Sequence, residues 1–333
     1  MKKWAFLLLG VLLAFVCSGQ DPQFSRFYSN SLYLAPSFAG STGQNRIAAS
    51  YRNQWPSISK GYETYTASFD HDFSKLNSGV GILFLSDAAG SGNLTTTNIG
   101  ILYSYDFRVR NTLHLRPGIQ FLYTERSIDF NKLLWGDQMS AVGNSPTSGE
   151  VVSYNKVGDL DFDVSGLVYN ESFWMGAAAD HLLHPNESLY DQKYSDNNAA
   201  LVPLKVQVFG GLRLIVKEHL LRPTPTVLQL AFLYKNQAGS NQLDLGFYWN
   251  YDPLVLGIWY RGIPIMEHNS INDAVILLVG YKTREFNIGY SYDFTTSHLI
   301  TNSGGAHEIS VSYTFSSPEH KKRSKKMVPC PEF

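Results

Sequence analysis

Histidine and aspartate residues that lie close together are the first candidates for chemistry in this chain. Asp180, His181 and His184 form one such group, and a metal ion needs three or four ligands that converge on it. Because no cysteine accompanies them, we predict no metal site and no bound cofactor here. His114 stands near Arg116 in a strand-like segment, and we interpret it as a polar wall residue rather than a catalytic base.

Enzyme signatures are missing from the sequence. It contains no G-x-S-x-G, Walker or H-E-x-x-H pattern. We therefore expect no catalytic residues. An enzyme such as a lipase is the weakest hypothesis for the function, because no nucleophile has a recognisable base. The net charge of -1 argues against nucleic acid as a partner.

The amino-terminal residues have the layout of a secretion signal. Lys2 and Lys3 precede an apolar stretch over residues 5–16, and small residues follow up to Gly19. Cleavage before Gln20 would make residues 1–19 a signal peptide. The alternatives are a buried helix, a membrane anchor or a lipoprotein signal at Cys17. The apolar stretch is short for a membrane span, and Val16 is unfavourable for lipidation.

The rest of the chain alternates between large apolar and small or polar residues. In the segment 308–315, Ile309, Val311, Tyr313 and Phe315 alternate with polar residues, and the segment 286–294 behaves in the same way. Side chains of a strand alternate between two faces, so each such segment has one apolar and one polar face. The pattern predicts an all-β protein.

A soluble sandwich and a membrane barrel would both show this alternation, and two features favour the barrel. Aromatic residues make up 14% of the chain and often stand at strand ends, as the interfaces of a membrane require. The polar face also carries ionisable residues, which a sandwich core would leave without water. They are Arg52, Asp70, Asp106, Arg116, Arg213, Asp244, Arg261 and Asp293.

Connection lengths supply a third feature, because they alternate along the chain. Connections after even-numbered strands are short, whereas the long ones, 126–159, 181–203, 262–272 and 295–306, follow odd-numbered strands. This predicts a transmembrane antiparallel β-barrel over residues 46–316, with short periplasmic turns, longer extracellular loops and periplasmic termini. The predicted strands are 46–55, 62–71, 79–86, 95–108, 112–125, 160–169, 172–180, 204–217, 219–234, 241–250, 254–262, 273–282, 285–294 and 307–316.

Two segments outside the strands leave alternatives open. Residues 20–45 are rich in aromatics and turn formers and could be a plug in the lumen or a periplasmic arm. Residues 317–333 form a basic tail that is either a flexible end or a docking site for periplasmic partners. The basic residues of the tail are Lys321, Lys322, Arg323, Lys325 and Lys326.

Six short strings stand out near the two ends of the mature chain: QDPQFS from Gln20, LAPSFAG from Leu34, YRNQW from Tyr51, GYSYDF from Gly289, AHEISVSYTF from Ala306, and Cys330-Pro331 in the tail. Together they resemble the PorP/SprF family of the type IX secretion system in Bacteroidota. The resemblance spans essentially the whole mature chain. Ala35 departs from it, since the family usually has Asn at that position.

The resemblance implies a non-enzymatic protein of the outer membrane that serves secretion and gliding motility. Its implied partners are a secreted adhesin with a type B C-terminal domain, the periplasmic ring or peptidoglycan-binding lipoproteins, and the membrane's lipid and lipopolysaccharide. From their loop positions, Trp135, Tyr154 and Tyr190 are the candidate aromatic contacts to the adhesin, and the alternative for each is ordinary packing within its loop. The tail, with Cys330 and Pro331, would face the periplasmic partners. The alternative is a passive channel or a transporter of hydrophobic solutes.

Overall fold

The alternating segments form strands of one large sheet. A computed structural model describes residues 21–58, 61–110, 112–140, 143–144, 148–149, 155–189, 200–217, 225–263, 274–296, 304–316 and 328–329. Within these residues, fourteen long strands follow one another: β1 Asn45–Gln54, β2 Tyr62–Phe73, β3 Ser78–Ala89, β4 Leu94–Tyr105, β5 His114–Ser127, β6 Lys156–Tyr169, β7 Phe173–Asp180, β8 Lys205–Lys217, β9 Thr226–Gln237, β10 Ser240–Tyr251, β11 Leu254–Ile263, β12 Ala274–Lys282, β13 Phe286–Thr295 and β14 Ala306–Phe315.

The sheet closes on itself as a barrel. Each strand pairs antiparallel with its neighbours in the chain, and β1 pairs with β14, with Asn45 opposite Phe315 and Gln54 opposite Ala306. Closure leaves none of the fourteen described strands at an edge, so their backbone groups are satisfied within the sheet, as a membrane requires. The predicted fold class is confirmed.

The two faces of the wall have opposite character. On the outer face large apolar side chains are exposed, with Ile101 at 67% and Leu160 at 65%. The inner face carries buried polar residues such as Asp70 and Ser104, both at 0%. Of the charges predicted to face inward, Arg52, Asp70, Arg116, Asp244, Arg261 and Asp293 are buried, whereas Asp106 and Arg213 are half-buried. A wall that is apolar outside and polar inside suits lipid around the barrel.

The two ends of the barrel differ in their connections. Residues 128–155, 181–204, 264–273 and 296–305 connect strands at one end, which is the outer end of such barrels. At the other end, the periplasmic end, residues 74–77, 170–172, 252–253 and 283–285 form short turns. β1 begins and β14 ends at this periplasmic end.

The predicted strand bounds agree with the observed ones to within three residues, apart from the starts of the sixth and ninth strands. The ninth is described from Thr226, directly after Pro225, which has no N–H to donate to a ladder, and its predicted residues 219–224 lie outside the described residues. The fourth ends at Tyr105, and a separate two-residue strand at Phe107–Arg108 follows. The sixth begins earlier, at Lys156, because it continues to pair with β5 where the side chains no longer alternate in polarity.

Residues 21–44, here called the lumen segment, lie inside the barrel. They contain a short helix, Ser31–Leu34, and a 3-10 turn, Pro36–Phe38, which contacts β4, β5 and β6. Most of the segment is buried, and its apolar residues join one hydrophobic cluster with inward residues of the wall. The segment rises from the start of β1 to Asp21, which contacts residues at the outer ends of the strands.

Candidate functional site

Aromatic residues fix the middle of the lumen segment to the wall. Tyr28 Oη donates to the carbonyl of Gly210 at 3.2 Å and accepts from Trp174 Nε1 at 3.1 Å. The Phe27 ring stands edge-on to the Trp259 ring, with centroids 4.8 Å apart. Such pairs add to the stabilisation that burial of large rings supplies. All five residues are buried, so the segment packs tightly against the wall at this level.

Glycines in the wall allow the segment to approach closely. A Cβ atom placed on Gly118 would lie 2.2 Å from the backbone nitrogen of Ser37 and 2.5 Å from the carbonyl carbon of Pro36. Next to this contact, the carbonyl of Ala39 accepts hydrogen bonds from Ser104 Oγ at 2.7 Å and Arg116 Nη2 at 2.6 Å. The contact is therefore backbone against backbone, and only glycine leaves room for it.

A buried ion network holds the segment at Ser25. The Asp293 carboxylate accepts from Ser25 Oγ at 2.6 Å and lies 2.8 Å from Arg52 Nη2 and 3.0 Å from Arg261 Nη1. Glu308 accepts from the Ser25 backbone N–H at 2.7 Å and from Arg52 at 3.3 Å. The four charged side chains are at most 4% exposed. Buried charges persist only when they are paired in this way, so the segment and the wall depend on each other.

A second cluster clamps the outer end of the segment. Asp21 lies 2.6 Å from Lys205 Nζ and 2.9 Å from His181 Nε2. His181 Nδ1 also contacts Asp161 at 2.6 Å, and Lys205 contacts Asp180 at 2.9 Å. Burial would lower the pKa of His181, but the carboxylates of Asp21 and Asp161 outweigh it and raise the pKa to about 10. His181 is therefore a cation at neutral pH, and this outer clamp is an ion-pair cluster.

The clamp contains a set of potential metal ligands. Asp161, Asp163 and His181 place one ligand atom each within 4.8 Å of one another. Both ring nitrogens of His181 already contact carboxylates, which a metal ion would have to displace. His184, which the sequence groups with His181, is exposed and contacts the carbonyl of Val202 at 3.0 Å instead. The geometry therefore favours ion pairing.

Above the lumen segment the barrel opens into an outer vestibule of about 410 Å³. Its floor is formed by Asp21, Pro22 and Gln23, and the rings of Trp55 and Tyr62 stand perpendicular in its wall with centroids 5.6 Å apart. The other lining residues are mostly polar: Arg52, Gln54, Thr64, Asp87, Ser240, Asn241, Gln242, Arg261, Gly262, Ala274, Asp293, Thr295 and Ala306. A polar cavity with an aromatic pair can offer hydrogen bonds and ring contacts to a bound chain.

The candidate partner contacts from the sequence are only partly visible. Trp135 is half-buried in the long loop after β5 and stacks on Phe130, with centroids 5.9 Å apart. Tyr154 and Tyr190 lie outside the described residues, as do the basic residues of the tail, Cys330 and Pro331. His114 is buried, contacts Asp106 at 3.0 Å and stacks on Tyr169.

Sequence reasoning missed the residues that fasten the lumen segment. Ser25 and Asp21 stand in a segment without strand periodicity. Lys205 lies near the start of a predicted strand, where nothing in the sequence marks it as an ion-pair partner. One signal was available: Glu308 and Asp293 alternate with apolar residues and so face a lumen in which each needs a partner. The pattern does not show which cation or hydroxyl is that partner.

Several solved barrels are similar to this chain. The Acinetobacter baumannii outer membrane protein Omp33 is 8% identical over 82% of this chain and 98% of its own, with a TM-score of 0.45. The P. putida toluene transporter TodX is 10% identical over 87% and 94%, with a TM-score of 0.45. The CymD monoaromatic hydrocarbon channel is 10% identical over 87% and 93%, with a TM-score of 0.42. Similarity at this level says nothing about substrate or mechanism.

Family membership is more specific. No curated protein matches the chain significantly. In the part of the chain that the structure describes, no helix is long and apolar enough to cross a membrane. The family of type IX secretion system membrane proteins PorP/SprF matches residues 16–313, which is most of the chain. The chain therefore belongs to the PorP/SprF family and is an outer-membrane component of the type IX secretion system.

Proposed function

We propose that the protein is a non-enzymatic anchor that holds a secreted adhesin with a type B C-terminal domain at the cell surface and is required for its secretion. The observation that supports an anchor is the filled lumen. Phe38 and Ala39 of the lumen segment are 0% exposed, and the segment is joined to the wall by buried ion pairs. A barrel of this kind presents a stable outer surface rather than an open passage.

The outer end is the surface we assign to the adhesin. The vestibule lies there, and so does the loop that carries Trp135 on its stacked partner Phe130. Large aromatic side chains contribute strongly to protein interfaces because they bury much area at small entropic cost. Tyr154 and Tyr190 belong to the same proposed surface, because they stand in the long connections at this end.

The periplasmic end is the surface we assign to the rest of the secretion machine. The basic residues Lys321, Lys322, Arg323, Lys325 and Lys326, with Cys330 and Pro331, follow β14 at this end. A cluster of like charges attracts partners of opposite charge and speeds their association. We propose that acidic surfaces of the periplasmic ring or of its peptidoglycan-binding lipoproteins meet the tail, while lipid and lipopolysaccharide surround the wall.

Affinity purification from native outer membranes tests this proposal. A tagged wild-type protein is solubilised in mild detergent, and its partners are identified by mass spectrometry. We expect one large secreted protein with a type B C-terminal domain, and periplasmic type IX components. The Trp135→Ala variant should lose the adhesin but keep the periplasmic components. Recovery of the wild-type protein without any secreted protein would contradict the anchor role.

A passive channel or hydrophobic-solute transporter is the rival function, and conductance distinguishes the two. A channel requires a continuous path through the lumen, and the lumen segment would have to move out of that path. In planar bilayers we expect the wild-type barrel to be closed. A steady open pore at neutral pH would favour the channel.

A further inference from the structure

The end of the chain returns to the barrel. β14 ends at Phe315 at the periplasmic end. After it, the structure next describes Val328 and Pro329. Val328 is only 3% exposed and belongs to the hydrophobic cluster inside the barrel. Burial of a valine side chain stabilises the position in which it is buried, because apolar surface is removed from water. The chain is therefore docked at this point.

A specific hydrogen bond accompanies this burial. The Pro329 carbonyl accepts from Gln229 Nε2 at 2.8 Å. Gln229 Oε1 in turn accepts from Asn250 Nδ2 at 2.7 Å, which turns the Gln229 amide so that its N–H faces the proline. Gln229 is 5% exposed and lies near the start of β9, so the contact is at the periplasmic end of the lumen.

The surroundings suit this pair of residues chemically. Val227 and Val255 are buried near the starts of β9 and β11, and Val255 belongs to the same hydrophobic cluster as Val328. Proline has no N–H, so Pro329 can be half-buried with its carbonyl paired and without an unsatisfied donor. The site therefore offers an apolar seat and one oriented donor, and the segment offers an apolar side chain and one acceptor.

We propose that the periplasmic mouth of the lumen is a binding site for the chain's own C-terminal segment. Val328 is its apolar anchor, and Gln229, oriented by Asn250, is its donor. The chain is thus held to the barrel at Phe315 and again at Val328. A periplasmic partner of the basic stretch would bind between these two positions. This site is independent of the adhesin role, so each can fail without the other.

Cysteine labelling of the full-length protein tests the site. In a Cys330→Ser background, Val328→Cys is compared with Lys75→Cys, which replaces an exposed residue of the periplasmic turn between β2 and β3. In the folded barrel we expect a maleimide to react roughly 30-fold more slowly at position 328 than at position 75. Equal rates in urea verify that the two thiols are intrinsically comparable.

A second variant tests the donor. Gln229→Met keeps the size of the side chain but removes the N–H, and it should raise the labelling rate at position 328 by roughly 5-fold. Gln120→Met, at another buried glutamine of the wall, is the matched control and should leave the rate unchanged. Equal labelling at positions 328 and 75 in the folded barrel would overturn the proposal. So would a Gln229→Met rate equal to that of the Gln120→Met control.

Discussion

Replacing Asp293 by asparagine should loosen the lumen segment from the wall. The carboxylate faces two guanidinium groups, Arg52 at 2.8 Å and Arg261 at 3.0 Å, and all three side chains are 3–4% exposed. Asparagine keeps the shape but removes the charge, so two buried cations lose their shared partner. Removal of one member of a buried ion pair costs about 3–5 kcal/mol. Glu308 still compensates Arg52, so we expect a value at the lower end of that range.

A double-mutant cycle shows whether this cost is coupled to the lumen segment. Ser25→Ala removes a hydrogen bond from the Ser25 hydroxyl to the Asp293 carboxylate and should cost about 1.5–3 kcal/mol. If the two residues act through each other, the double variant will lose about 1–2 kcal/mol less than the sum of the single variants. Ser50→Ala is the matched control, because the Ser50 hydroxyl is also buried in the lumen and has no partner among the described residues.

Urea unfolding in detergent micelles, followed by tryptophan fluorescence, gives the four free energies of the cycle. We expect a coupling free energy between Ser25 and Asp293 and none between Ser50 and Asp293. Additive effects of Ser25→Ala and Asp293→Asn would mean that the lumen segment does not depend on the ion network.

Three further predictions follow from other parts of the barrel. His181 has a folded-state pKa of about 10 against an ordinary 6.5. The stability that the protonated ring gives to the folded barrel is therefore complete below pH 6.5 and falls as pH rises toward 10, by at most about 1.4 kcal/mol per pH unit. Thermal unfolding should show this fall in the wild type and a smaller one in His181→Gln. Gly118→Ala should cost about 1–3 kcal/mol in urea unfolding, because the new methyl group meets backbone atoms of Pro36 and Ser37. Gly166→Ala, where a Cβ meets nothing within 4 Å, should cost nothing, and equal losses at both glycines would contradict the close contact. Trp135→Ala should reduce the adhesin retained on intact cells by roughly 30-fold, whereas a loss of the same size for the neighbouring Leu134→Ala would mean that the loop is merely misfolded.

The barrel could be predicted from the sequence because its physics is periodic. Alternation in segments such as 308–315 fixes which side chains face lipid, and connection lengths fix which end faces outward. The inward charges Arg52 and Asp293 followed from the same periodicity and are buried as expected. The predicted residues 219–224 of the ninth strand lie outside the described residues, and β9 is described from Thr226, directly after Pro225, which cannot join the ladder.

The interior could not be predicted, because it depends on contacts between distant residues. Ser25 meets Asp293 and Glu308 from more than 260 positions away, and nothing in the local sequence encodes that pairing. The choice between a plug and a periplasmic arm for residues 20–45 stayed open for the same reason. The composition of the segment permits either, and only its fit against wall glycines such as Gly118 distinguishes them.

The amount of adhesin on the cell surface measures the proposed anchoring role directly. Proteins exposed on intact cells are quantified in the wild type, in a strain that lacks this gene, and in that strain carrying the gene again. The account predicts that one secreted protein with a type B C-terminal domain disappears from the surface in the deletion and returns with the gene. An unchanged set of surface proteins in the deletion strain would contradict the proposed role in secretion and anchoring.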